Sequence, residues 1–207
     1  MVRRLAGLGL ALTMLLAATP VFAQQAYNDE GIGFGLLGGI TMPKFDEEEG
    51  FPDISGKNGW LVGIWFGGNR NGTLGFMGEF SYLQKKGNND ETDQELKQYY
   101  LEIPALIRIN LGQTNTRNGF LVYPLIGPVV DIQLKGEIDG VDVKDQFNGF
   151  DIGIMGGVGV EIARIGVEFR GNWGLRSLNS DDGGQTFGGL EDSKNFMWQL
   201  IGKIRLN

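Results

Sequence analysis

The sequence predicts an all-β protein: an eight-stranded antiparallel up-and-down transmembrane β-barrel. Three observations carry the prediction. Eight segments alternate their side chains with period two, and no helical i, i+3, i+4 pattern of useful length lies between them. The connections between these segments alternate long and short. The strands divide into one face that is apolar and free of charge and another rich in glycine, acid and base.

The chain of 207 residues suffices for one domain with a sizeable interior. Its 25 acids against 18 bases disfavour a nucleic-acid partner, which requires a basic face. The absence of cysteine excludes disulfides, thiolate metal sites and lipidation of an N-terminal cysteine. The absence of histidine removes the Ser-His-Asp triad, His-rich zinc sites and the usual proton shuttle. No catalytic residue, cofactor site or metal site is predicted. Glycine is abundant, with 35 residues against an ordinary usage of about 7%, and it lacks the every-third-residue period of collagen.

The first segment reads as an address. Arg3 and Arg4 precede an apolar stretch from Leu5 to Ala18, and Val21 and Ala23 form a small-residue cleavage site. This is the pattern of a secretory signal peptide over 1–23, leaving an exported chain of 24–207. The apolar run is short for a membrane anchor, and nothing later approaches the ~20 apolar residues of a spanning helix. A membrane location would have to be reached with strands.

The first predicted strand, 31–42, sets Ile32, Phe34, Leu36, Ile40 and Met42 against Gly31, Gly33, Gly35, Gly39 and Thr41. The second, near 59–68, is apolar at Trp60, Val62, Ile64 and Phe66, and the third, near 73–84, at Leu74, Phe76, Phe80 and Tyr82. The fourth, near 98–109, carries Leu101, Ile103, Ala105, Ile107 and Ile109, with Glu102, Pro104 and Arg108 between them. Pro104 lacks a ladder donor, which predicts a local bulge. The fifth, near 119–133, has its facing blurred by Pro124 and Pro128. The sixth, near 149–163, is apolar at Phe150, Ile152, Ile154, Val158, Val160 and Ile162; the seventh, near 165–176, at Ile165, Val167, Phe169, Trp173 and Leu175. The eighth, near 195–206, shows Phe196, Trp198, Leu200, Ile204 and Leu206.

The connections run long (43–58), short (69–72), long (85–97), short (110–118), long (134–148), short (163–164) and long (177–194). Outer-membrane barrels have an even strand number, short periplasmic turns and longer outer loops. Both termini then fall on the periplasmic side. The long connections hold the acids, from Asp46 to Glu49 onward, while each short turn carries one arginine: Arg70, Arg117 or Arg164. Acidic loops are ordinarily just solvated; bridging of divalent cations or lipopolysaccharide is the alternative. Residues 137–145 lack the oxygen-ligand spacing and terminal glutamate of a calcium loop. Asp139–Gly140 reads instead as a hairpin turn.

A lipid-facing Arg or Lys at mid-bilayer costs about 2–4 kcal/mol, so a charge-free face is what lipid selects. The opposite face carries Glu79, Glu102, Asp151, Glu161 and Glu168, with Arg108, Arg170, Arg176, Lys203 and Arg205. These ten are the candidate lumen charge network. Glycines at 33, 35, 39, 63, 67, 153, 157, 159, 166 and 174 leave room for them. Aromatics fall near the strand ends: Trp60, Tyr82, Tyr99, Phe150, Trp173, Phe196 and Trp198 toward the long loops, and Phe34, Phe66, Phe76 and Phe120 toward the short turns. Two interfacial girdles are expected; ordinary strand enrichment in aromatics is the alternative.

Several stretches resemble one family. "YYLEIPALIRI" (99–109), "LIGPVVDI" (125–132), "FDIGIMGGVGVEI" (150–162) and "VEFRGNWGLRSL" (167–178) are similar to strands of the PorT-like, porin-family outer-membrane β-barrel proteins of Bacteroidetes-type Gram-negative bacteria. The resemblance implies a cell outer membrane location, contact with lipid and lipopolysaccharide, insertion by the barrel-assembly machinery, and no enzyme chemistry. Such barrels usually end on an aromatic residue read by that machinery; here the last residues are Arg205, Leu206 and Asn207.

The functional expectation is a non-enzymatic membrane barrel with a charge-filled narrow lumen and acidic outer loops, in a structural, surface-interacting or export-accessory role. Two alternatives stand beside it. A soluble periplasmic barrel would turn the apolar face inward around an apolar ligand. An outer-membrane hydrolase would need a carboxylate or lysine base, and Ser81 beside Glu79 reads as an ordinary same-face neighbour.

Overall fold

The computed structural model describes residues 32–44, 54–68, 72–89, 94–111, 119–142, 149–177 and 194–206. The expected leader, most of the loop acids, and Arg70 and Arg117 lie outside them. The strands are β1 (Gly33–Lys44), β2 (Ile54–Lys57), β3 (Gly59–Gly67), β4 (Leu74–Asn89), β5 (Gln94–Ile109), β6 (Phe120–Ile138), β7 (Val141–Asp142), β8 (Phe150–Ile162), β9 (Ile165–Ser177) and β10 (Lys194–Arg205).

These ten segments make eight staves. β2 prolongs β3 across a bulge at Asn58: four steps from Lys57 to Leu61 face three from Lys86 to Leu83 on β4. β7 folds back on the end of β6. Neighbouring staves pair antiparallel in chain order, and β1 pairs with β10 to close the ring. The expected eight-stranded up-and-down barrel is what forms. Closure gives each of the eight staves a neighbour on both sides, which a strand-built membrane protein requires.

The strand spans follow the alternation closely, with one systematic difference at the long-loop end. β4 and β5 continue to Asn89 and from Gln94, so most of the connection expected over 85–97 is paired strand. β6 continues to Ile138. Polar residues there, such as Lys86, Asn88, Gln94 and Lys97, carry no apolar alternation, yet their backbones still complete ladder bonds. The Asp139–Gly140 hairpin forms as expected: both residues have positive φ (49° and 83°), and Ile138 pairs with Val141.

Pro104 does not make the expected bulge. Ala105 opposes Gly78 and Glu102 opposes Ser81, so the register to β4 is unchanged across it. The bulge lies instead on β6, where the consecutive residues Tyr99 and Tyr100 oppose Lys135 and Gln133 and leave Leu134 over. Pro104 withholds one donor, and the sheet tolerates that without inserting a residue.

Facing follows the sequence pattern throughout. Phe34, Leu36, Val62, Ile64, Ile107, Val158, Val167, Phe169 and Leu200 are among the large apolar side chains exposed on the outside. A continuous apolar belt of this kind marks a surface that something other than water covers. The soluble alternative required the reverse facing and is set aside. β6, whose facing Pro124 and Pro128 blur in the sequence, turns Leu121, Tyr123, Leu125, Val129, Asp131 and Gln133 inward, while Pro128 is exposed on the outside. Outward rings gather toward the long loops, with Trp60 against Tyr82, Tyr82 against Tyr99, and Trp173, Phe196 and Trp198 in mutual contact.

Candidate functional site

An eight-stranded interior is only just wide enough for side chains to fill. Glycine makes the filling possible at particular points. A Cβ at Gly35 would run into the Ile204 carbonyl and the Trp65 indole, and one at Gly159 would meet the Tyr123 ring 2.6 Å away. The space so released is taken by long side chains crossing from opposite staves, packed among Leu37, Leu61, Met77, Leu106, Leu125, Met155 and Ile201.

Nine of the ten predicted lumen residues have described side chains, and all nine are buried: Glu79, Glu102, Arg108, Asp151, Glu161, Glu168, Arg170, Lys203 and Arg205. Arg176 lies on β9, and its side chain is outside the described residues. The nine fall into three groups along the barrel axis.

The central group is the most tightly knit. Arg170 from β9 donates from Nη1 to Glu79 Oε2 and from Nη2 to Glu79 Oε1, both at 2.7 Å, spanning the lumen to β4. Its Nη2 also donates to Glu168 Oε2 on its own strand. Lys203 from β10 reaches Glu79 Oε1 at 2.6 Å and Glu168 Oε1 at 2.9 Å. The Tyr123 hydroxyl donates to Glu168 Oε1 at 2.6 Å. Two carboxylates thus face two cations with every carboxylate oxygen occupied, the condition under which a buried ion pair is tolerable.

Toward the long loops the group is acidic. Register sets Glu102, Asp131 and Asp151 side by side on β5, β6 and β8. Gln199 donates to Glu102 at 2.9 Å, and Asn172 donates to Glu102 at 3.0 Å and Asp131 at 3.2 Å. Lys85 lies 3.5 Å from Asp131 and 4.4 Å from the Tyr100 ring centroid. Toward the short turns the group is basic. Arg108 and Arg205 meet Glu161 at 3.3 and 3.7 Å, and both guanidiniums flank aromatic rings, Arg108 at Tyr123 and Arg205 at Trp65.

Several members were not expected. Asp131 was hidden by the two prolines of β6, although counting in twos from Leu121 reaches it. Lys85 lies in the stretch 85–97, whose polar residues read as a connection, whereas β4 runs on to Asn89. Asn172, Gln199 and Tyr123 are uncharged, and their sequence neighbours give no sign that they bridge acids. Beyond the lumen, Lys97 donates to Glu95 at 2.6 Å on the projecting β4–β5 hairpin and draws that carboxyl below its ordinary pKa. No cluster of Asp or Glu able to hold a metal ion occurs among the described residues.

Residues 10–195 match the family described as "Outer membrane protein beta-barrel domain". No curated protein matches. Among solved structures, Neisserial surface protein A is similar at 16% identity and a TM-score of 0.50, over 86% of this chain and 100% of that one. OprG of Pseudomonas aeruginosa follows at 14% and 0.47, over 84% and 93%. Ail, the attachment invasion locus protein of Yersinia pestis, solved with the heparin analogue sucrose octasulfate, is similar at 13% and 0.44, over 86% and 99%.

Proposed function

The chain belongs to the outer membrane protein beta-barrel domain family, and on that premise we propose that it is a non-enzymatic outer-membrane barrel whose interior is closed by its own ion pairs. The observation that carries this reading is the Arg170–Glu79 bridge, bidentate at 2.7 Å and spanning the lumen, with Lys203 and Glu168 locked to it. A water-filled pore would leave such charges hydrated and separate. Wide channels belong to barrels of about sixteen to eighteen strands, not eight.

In this reading the termini and the Ala163–Arg164 turn face the periplasm, and the long acidic loops face outward among lipopolysaccharide. The work is done by that outer surface or by the barrel as a structural or export-accessory element. The acidic loops suit cation-bridged contact with lipopolysaccharide better than a polyanionic partner. Insertion by the barrel-assembly machinery after removal of a leader over 1–23 completes the route.

The experiment is conductance in planar bilayers. The refolded protein shows little or no steady current, and a reproducible open pore of nanosiemens size overturns the closed-lumen reading. Lipid deacylation by the same preparation would overturn the non-enzymatic one.

A further inference from the structure

We propose that a row of lysines on the outer face of the barrel, just beyond the aromatic rings at the long-loop end, binds the phosphate of an anionic lipid headgroup in the surrounding leaflet. The inference rests on the reading of the chain as a membrane barrel and not on closure of its lumen.

Register builds the row. Lys57 on β2 stands directly opposite Lys86 on β4, and Lys86 directly opposite Lys97 on β5. Directly opposite residues share a face, and like charges so placed destabilise a sheet. Neighbouring strands lie about 4.8 Å apart, so the three side chains leave the sheet within about 10 Å of one another. Strand pairing alone gives no reason to gather three ammoniums there. An anion laid across them does.

The nearby acids leave two of the three unpaired. Glu95 bonds Lys97 at 2.6 Å, and Glu137, opposite Lys97 on β6, bonds Lys135 at 2.5 Å. Asp139, at the hairpin turn, accepts from the Glu95 backbone N–H at 2.9 Å. Lys57 and Lys86 have no ion pair among the described residues. Their fields reach Glu95, which already holds Lys97.

Height selects a lipid as the partner. Trp60 and Tyr82 lie 5.6 Å apart and Tyr82 and Tyr99 lie 6.0 Å apart, ring to ring, on the outer face. Such rings mark the level where acyl chains give way to headgroups. Lys97 is the next residue beyond Tyr99 on that face, and Lys86 is its partner. Two residues of strand rise about 7 Å, or about 5 Å of height at a tilt of about 40°. The headgroup layer is about 5–7 Å deep on each side, so the row stands within it. A lysine there lays its methylenes along the sheet and lifts its ammonium to the phosphates. A soluble polyanion would also meet the acids of the long connections, whereas a phosphate anchored in the leaflet reaches the row from the side.

The test uses the full barrel refolded into vesicles of phosphatidylcholine and phosphatidylglycerol, with bromine on the acyl chains of one lipid or the other. Trp173→Phe with Trp198→Phe leaves Trp60 as the outward tryptophan beside the row, since Trp65 is buried in the lumen. Heat-modifiable gel migration checks folding. The expected result is stronger quenching by brominated phosphatidylglycerol than by brominated phosphatidylcholine. Lys86→Gln lowers that preference about fivefold, the scale of one lysine near an anionic surface. Lys86→Arg retains it, and Glu95→Gln, which releases Lys97, raises it. A preference that Lys86→Gln leaves unchanged, or that Glu95→Gln lowers, overturns the site. Equal quenching by the two lipids in a folded barrel also overturns it and leaves the row to the acids of the adjoining connections. Relief of quenching by inorganic phosphate beyond that by sodium chloride of equal ionic strength overturns the lipid assignment in favour of a soluble phosphate. A chain that shows no heat-modifiable form and no quenching by either lipid overturns the membrane reading, and the row with it.

Discussion

Removing Arg170 tests the central claim that charge balance, and not charge as such, holds the interior together. In the native barrel Glu79 and Glu168 face Arg170 and Lys203, two against two, at distances of 2.6–2.9 Å for the contacts of Glu79 and for Lys203 with Glu168. Arg170→Met keeps most of the side-chain length but leaves two carboxylates to one ammonium. All four groups are at least nine-tenths buried, so water does not rescue the odd charge. Breaking a buried pair from one side costs about 3–5 kcal/mol. The double variant Arg170→Met with Glu79→Gln returns the count to one against one, keeping the 2.9 Å contact of Lys203 with Glu168. It should recover about half of the loss or more, because a balanced replacement of buried charge is often close to neutral. The assay is urea unfolding of the barrel in phospholipid vesicles, followed by tryptophan fluorescence. A single-variant loss below about 1 kcal/mol, the value of an exposed pair, would refute the reasoning. So would a double variant that is less stable than the single.

Two further predictions concern the outside and one turn. Val158→Arg places a cation on the apolar belt, at a position 57% exposed and paired with Phe169. It should destabilise the membrane-inserted barrel by about 2–4 kcal/mol if that position lies at mid-bilayer, and an unchanged urea midpoint in vesicles would mean the belt does not face lipid there. Ala163 holds φ at 53° in the tight turn between β8 and β9, a conformation that costs an L-residue roughly 1–2 kcal/mol. Ala163→Gly should therefore raise stability by about 0.5–1 kcal/mol after the added unfolded-state freedom of glycine is subtracted, and a lowered unfolding midpoint would contradict the strain argument.

The extent to which the sequence was readable varied with the kind of information each residue carries. Ile103 and Glu102 could be sent to opposite faces because strand side chains alternate with period two. Once one face must be free of charge, every other residue on a strand is fixed. That single rule sends Glu79, Glu102, Arg108, Asp151, Glu161, Glu168, Arg170, Lys203 and Arg205 to the inner face, where their side chains are buried, and residues such as Phe34, Val158 and Leu206 to the exposed outer one. It failed where the pattern was interrupted. Pro124 and Pro128 concealed Asp131, and the polar run of Lys85 to Lys97 disguised strand as loop, because backbone pairing there does not depend on what the side chains prefer.

Pairing across the lumen belongs to a different order of information. Arg170 and Glu79 are 91 residues apart, and Lys203 and Glu79 are 124 apart. Nothing local to either end of such a contact specifies the other. The stagger of eight staves and the glycines that let one side chain lie over another decide it. The amino-acid order alone determined the barrel, its strand number and its inside and outside, since these follow from alternation and solvent preference. Only closure of the ring decided which acid meets which base, and why the long-loop end of the interior is acidic and the short-turn end basic. Those are properties of distances that exist only after the first strand has met the last.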